Sequence, residues 1–118
     1  MATIAGGNTG LSIPYDIALD GAGNIYVANG SGSITVYAAG ASGNATPTAT
    51  IAGGNTGLNF PLGIALDGAG NIYVANERGN VGAGSITVYA AGASGNAPPT
   101  ATIAGGNTEL NNPASITF

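Results

Sequence analysis

Two aspartates, Asp20 and Asp67, stand in the same pentapeptide, Asp-Gly-Ala-Gly-Asn, at 20–24 and 67–71. Oxygen donors spaced around glycines are what a calcium loop uses, but such a loop needs several carboxylates and a closing Glu. Each pentapeptide offers one carboxylate, so the residues favour a turn in which the Asp accepts backbone N–H groups. The other groups that could do chemistry are few: Asp16, the adjacent Glu77 and Arg78, and the uncharged pairs Asn8-Thr9, Asn55-Thr56 and Asn107-Thr108. The chain has no His and no Cys. That removes Ser-His-Asp and Cys-His catalysis, a His-ligated metal and any disulfide framework. Asn29-Gly-Ser31 and Asn44-Ala-Thr46 match glycosylation acceptors, a tripeptide that arises easily by chance in this composition. No residue reads as catalytic, and no metal or cofactor is expected.

Charge narrows the partners. Charged residues make up 5% of the 118, and Arg78 is the sole basic side chain. Binding nucleic acid requires several Lys or Arg to displace counterions from phosphates, so that partner is not expected. No apolar run approaches the length of a membrane span, and the N-terminus carries no signal-peptide pattern. The chain holds 22 glycines and 6 prolines, a content that in an aperiodic sequence signals low complexity. Here the glycines recur at fixed positions between short Ile, Val, Leu and Tyr clusters, which favours a folded chain over disorder.

Those elements are copies. Ala-Thr-Ile-Ala-Gly-Gly-Asn-Thr begins at Ala2, Ala49 and Ala101, and residues 19–29 recur letter for letter at 66–76. The second unit is longer because 77–84 replaces 30–32; elsewhere the two differ at Ser12/Asn59, Ile13/Phe60, Tyr15/Leu62, Asp16/Gly63 and Thr46/Pro98. A period in the forties fits a propeller blade or a helical solenoid. The apolar segments are short, β-branched and bounded by Gly, Asn and Pro, which excludes helices.

Each unit reads as four strands: 15–19, 25–28, 33–38 and 48–52, with 62–66, 72–75, 85–90 and 100–104 in the second. The Asp20 turn joins the first two, with Gly23 supplying the left-handed residue of a three-residue hairpin loop. The chain then divides into an outer strand and connection at 2–14, a first unit at 15–52, a connection at 53–61, a second unit at 62–104, and a connection with the inner strand of an incomplete third unit at 105–118.

The run Pro61-Leu-Gly-Ile-Ala-Leu-Asp-Gly-Ala-Gly-Asn-Ile-Tyr-Val-Ala-Asn76 closely resembles the core motif of NHL-repeat β-propellers, and residues 14–29 match it with Asp16 in place of Gly. The resemblance covers essentially the whole chain. It implies an all-β fold of four-stranded antiparallel blades, two complete plus partial flanking strands. The third strand departs from the family, where Ser33 and Ser85 stand at a position many members give to Arg. By the same resemblance Asp16 falls near the central channel, where copies around a ring would cluster carboxylates able to bind a cation or titrate together. Tyr15, Glu77, Arg78, Asn8, Asn55 and Asn107 fall on the same face as candidate ligand contacts. Propeller lactonases hold a metal in the channel with several carboxylates and amides; only Asp16 matches such a place.

Propellers of this type close with about six blades, and this chain has two. Each blade buries both faces against neighbours, so two blades alone leave two apolar faces in water. At about 25 cal/mol per Å² over several hundred Å², each face forfeits on the order of 10 kcal/mol. The expectation is a homo-oligomer completing the ring, three chains for six blades, with four chains for eight as the alternative. The expected function is a non-enzymatic scaffold or protein-interaction ring. A carbohydrate- or peptide-binding propeller is the main alternative, and a cation-dependent hydrolase a distant one. The expected parent is a repetitive, exported bacterial protein.

Overall fold

The structure, a computed structural model, describes residues 3–77 and 84–105 together with 108, 110, 113, 115 and 116. It is all-β. Eight strands run in order β1 (Pro14–Leu19), β2 (Ile25–Asn29), β3 (Ser33–Tyr37), β4 (Ala49–Ile51), β5 (Pro61–Leu66), β6 (Ile72–Asn76), β7 (Ser85–Tyr89) and β8 (Ala101–Ile103). They form two antiparallel four-stranded sheets, β1-β2-β3-β4 and β5-β6-β7-β8. Among the described residues the sheets close no barrel or propeller. The strand bounds differ from the expected ones at the ends. Pro14 and Pro61 open the inner strands, Asn29 and Asn76 extend the second strands, and the outer strands shrink to three residues.

The repeated turn works as the residues dictate. Asp20 Oδ1 accepts the N–H groups of Ala22 and Asn24, both at 2.9 Å, and Oδ2 accepts the Asn24 side-chain amide at 2.9 Å. Gly23 takes φ +87°, where a Cβ is disfavoured. Asp67 repeats this set with Ala69 and Asn71.

A second repeated device pins each connection to its sheet. Buried Asn29 donates to Thr35 Oγ1 at 3.0 Å and accepts the Ser12 N–H at 3.1 Å; Tyr37 donates to the Thr9 carbonyl at 2.6 Å. Asn76, Thr87, Tyr89 and Thr56 do the same in the second sheet. Burying these polar groups is tolerable because each finds a partner. Among the described residues no buried side-chain polar atom lacks one.

Strand alternation gives each sheet two faces. On the first, one face carries Ile17, Leu19, Ile25, Val27 and Tyr37, and the other Asp16, Ala18, Ala28, Ile34 and Ile51. The core lies between the sheets. Ala28, Ile34 and Ile51 of the first pack with Ile64, Ile72, Val74 and Tyr89 of the second. The leading segment is slighter than the expected strand. Ile4 makes an isolated parallel bridge to Gly43 rather than a strand. Of the expected trailing inner strand, Ser115 and Ile116 are in no strand, and Ala114, Thr117 and Phe118 lie outside the described residues.

Candidate functional site

Because the two sheets are near-copies, each residue at their junction has a counterpart at one of the outer faces. Ile64 on β5 is 3% exposed, whereas its counterpart Ile17 on β1 is 58% exposed. On the opposite side Ile51 on β4 is fully buried, whereas its counterpart Ile103 on β8 is 51% exposed. Side chain and backbone setting are the same in each pair. The difference is a neighbouring sheet.

The open face of the first sheet forms a groove of about 500 Å³ lined by Ile4, Leu11, Tyr15, Ile17, Val27 and Tyr37, among others. The counterparts of these six in the second sheet are Ile51, Leu58, Leu62, Ile64, Val74 and Tyr89. Five of them, all but Leu62, belong to the core between the sheets or pack against it. The groove is therefore lined mostly by counterparts of the residues that the second sheet presents to the first. Leu19, 62% exposed, extends the apolar surface to the far end of β1.

The polar part of the junction is Asp16. Pairing of β1 with β2 slips between Pro14 and Asp16, leaving Tyr15 as the extra residue of a bulge. The bulge turns the Asp16 carboxylate toward the second sheet, where Oδ2 accepts the Ile64 N–H at 3.0 Å while Oδ1 takes the Ile17 N–H at 2.9 Å. Tyr15 meets Phe60 edge to face, with ring centroids 5.7 Å apart at 76°. The carboxylate expected at a channel rim thus ties two inner strands together. Among the described residues no three His, Cys, Asp or Glu side chains come together.

The remaining candidate residues scatter. Asn8 and Asn55 are exposed and anchored by their backbone N–H groups to the Asn44 and Asn96 amide oxygens, each at 2.8 Å. Thr9 and Thr56 are buried in the stapling networks and face no solvent. Glu77 is half-buried at the end of β6, its N–H donating to the Phe60 carbonyl at 3.1 Å. Arg78 and Asn107 lie outside the described residues. The stapling role of Asn29 and Asn76 was not read from sequence; Asn29 was noted there as a glycosylation acceptor, but it is fully buried. The available signal was a repeated Asn directly after an apolar strand.

Asp20 and Asp67 are held below the ordinary carboxylate range, mainly by the Asn24 and Asn71 side-chain amides, with the turn N–H groups adding to the effect against some desolvation. Burial raises the Tyr26 and Tyr89 hydroxyls above their ordinary value, and Asp20 adds to the effect at Tyr26. These groups stabilise turns and core; none is a proton donor poised over a cleft. No family model and no curated protein matches the chain. No helix is long and apolar enough to cross a membrane.

Proposed function

We propose that the chain is a non-enzymatic, NHL-like propeller module whose activity is head-to-tail self-assembly, each sheet being one blade and three chains making a six-bladed ring. The observation that carries this reading is the exposure contrast between Ile17 and Ile64 and between Ile51 and Ile103. The open face of the first sheet and the open face of the second are the two halves of a junction the chain already contains once. An interface built from two different faces propagates head to tail and closes when the rotation per copy divides a full turn. Light scattering tests it: a mass near three times 11.1 kDa supports three copies. A mass of one chain at all concentrations overturns the reading.

A second reading has one observation in its favour. A cleft of about 540 Å³ between the 53–59 connection and strands β7 and β8 is lined by Asn55, Asn59, Ser85 and Thr102. Uncharged hydrogen-bonding groups of this kind suit a sugar or an extended peptide. Screening the assembled protein against a glycan panel separates the two readings, since a pure scaffold gives no saturable binding.

A further inference from the structure

The segment Ala-Thr-Ile-Ala-Gly-Gly-Asn-Thr occurs three times, and among the described residues two places seat it. One is Gly95-Asn96: Ala52 donates to the Gly95 carbonyl at 3.0 Å, Gly95 donates to the Thr50 carbonyl at 2.7 Å, and Asn96 Oδ1 accepts the Asn55 N–H. The other is Gly43-Asn44, which holds residues 3–8 through the same three bonds. In both, a glycine lies so close to the seating Asn that a Cβ would overlap its amide: Gly6 against Asn44 and Gly53 against Asn96, each at φ +130°.

The third copy repeats the local bonds of the other two, and among the described residues no seat for it is seen. Thr108 Oγ1 donates to the Gly105 carbonyl at 2.7 Å and accepts the Leu110 N–H at 3.2 Å, as Thr9 and Thr56 do in their copies. Gly105 takes φ +112°, yet among the described residues nothing lies within 4 Å of the place its Cβ would occupy.

If a second copy docks on the first sheet as the first sheet docks on the second, its β8 arrives where residues 3–5 already lie. Both cannot fit. At the internal junction the seated strand has two neighbours, because β4 pairs with β3 and also bridges Gly95. Among the described residues, 3–5 have the bridge alone, whereas β8 brings its own ladder to β7, Ile86↔Ile103, Thr87↔Thr102 and Val88↔Ala101. Displacing residues 3–5 sacrifices the fewer bonds.

Resting on the ring reading above, we propose that Gly43-Asn44 is a docking slot for a second copy, filled by that copy's β8 and the turn beginning at Gly105. The chain's own residues 3–8 are a competitor that must leave for assembly to occur.

Hydrogen exchange read by mass spectrometry on the full chain, assembled and diluted, tests this. The two segments are distinguishable because Met1 and Gly10 flank one and Glu109 the other. The expected result is that residues 3–8 lose protection on assembly while 101–110 gain it. The opposite pattern, or no change in either segment, overturns the exchange while leaving the ring intact. A chain that never assembles overturns both. Removing residues 2–7 gives a second reading: the midpoint concentration for assembly falls on the order of tenfold. An equal or higher midpoint counts against a competitor.

Discussion

The Asp16 carboxylate and the Ile64 backbone N–H, 48 residues apart in sequence, meet at 3.0 Å across the junction of the two sheets. The same carboxylate holds the Ile17 N–H, so one side chain serves the inner strands of both sheets. Its counterpart Gly63 has no side chain to repeat the contact. A single Asp therefore suffices for each pair of sheets, and the pair, not the single sheet, is the smallest unit in which both inner-strand N–H groups are satisfied. Asp16→Ala removes the acceptor from a partly buried donor and is expected to lower stability by about 1–3 kcal/mol in urea unfolding. Asp16→Asn, which keeps one acceptor oxygen, is expected to lose less.

Equivalent substitutions at Ile17 and Ile64 should give different results. Ile64→Asp places a charge in the core between the sheets and is expected to abolish folding, seen as loss of the β-sheet circular dichroism signal. Ile17→Asp places it on an open face, leaving the single chain's sheet signal unchanged and eliminating higher-mass species in light scattering. Identical effects at the two sites would contradict the assignment of Ile17 to an interface.

Acid should destabilise the chain through its turns. Asp20 and Asp67 have folded-state pKa values below the unfolded one. The stability they contribute is complete above about pH 4 and is lost as pH falls through their lowered folded values. Tyr26 and Tyr89 are raised, so their contribution is complete below about pH 10 and lost as pH climbs through their folded values. Thermal melts across pH should show a plateau between these limits. The Asp20→Asn, Asp67→Asn double variant should flatten the acid limb alone.

Ile13 sits at φ +54°, a left-handed conformation that a β-branched residue adopts only under constraint, and its side chain is exposed. Asn tolerates that region far better. Ile13→Asn is expected to raise the stability of the single chain by about 1 kcal/mol, read as a higher urea midpoint with unchanged slope. Phe60 holds the same φ, but its ring packs against Tyr15. Phe60→Asn should bring no such gain.

Strand existence, order and the hairpin turns were legible in the sequence because each rests on local chemistry. In 33–37 Ile34 and Val36 alternate with Thr35 and Tyr37, Asp and Gly mark 20–24, and two copies reinforce each other. The role of Asp16 was not legible from its position. Its partner is a backbone N–H, which leaves no trace in residue type, and the bulge that aims it depends on cross-strand pairing. Thr9 and Thr56 read as turn residues open to ligands, and they prove to be buried because Tyr37 and Tyr89 reach across to their carbonyls. The left-handed Ile13 and Phe60 carry no signal at all, since the usual marker of that conformation is Gly or Asn. The outer strands end sooner than expected, pairing with three of the five residues of β3 and of β7.

In the proposed ring the two open faces differ from one another, so growth would have a direction and every copy would offer one socket and one plug. A copy carrying Ile17→Asp keeps its plug and loses its socket. Mixed in small amounts with the unaltered protein, it caps the growing end to which it adds, so each such molecule poisons a whole assembly rather than one subunit. The fraction of closed rings should then fall with the cube of the unaltered fraction for a three-membered ring, and with the fourth power for a four-membered one. A titration of one variant into the other thereby counts the members.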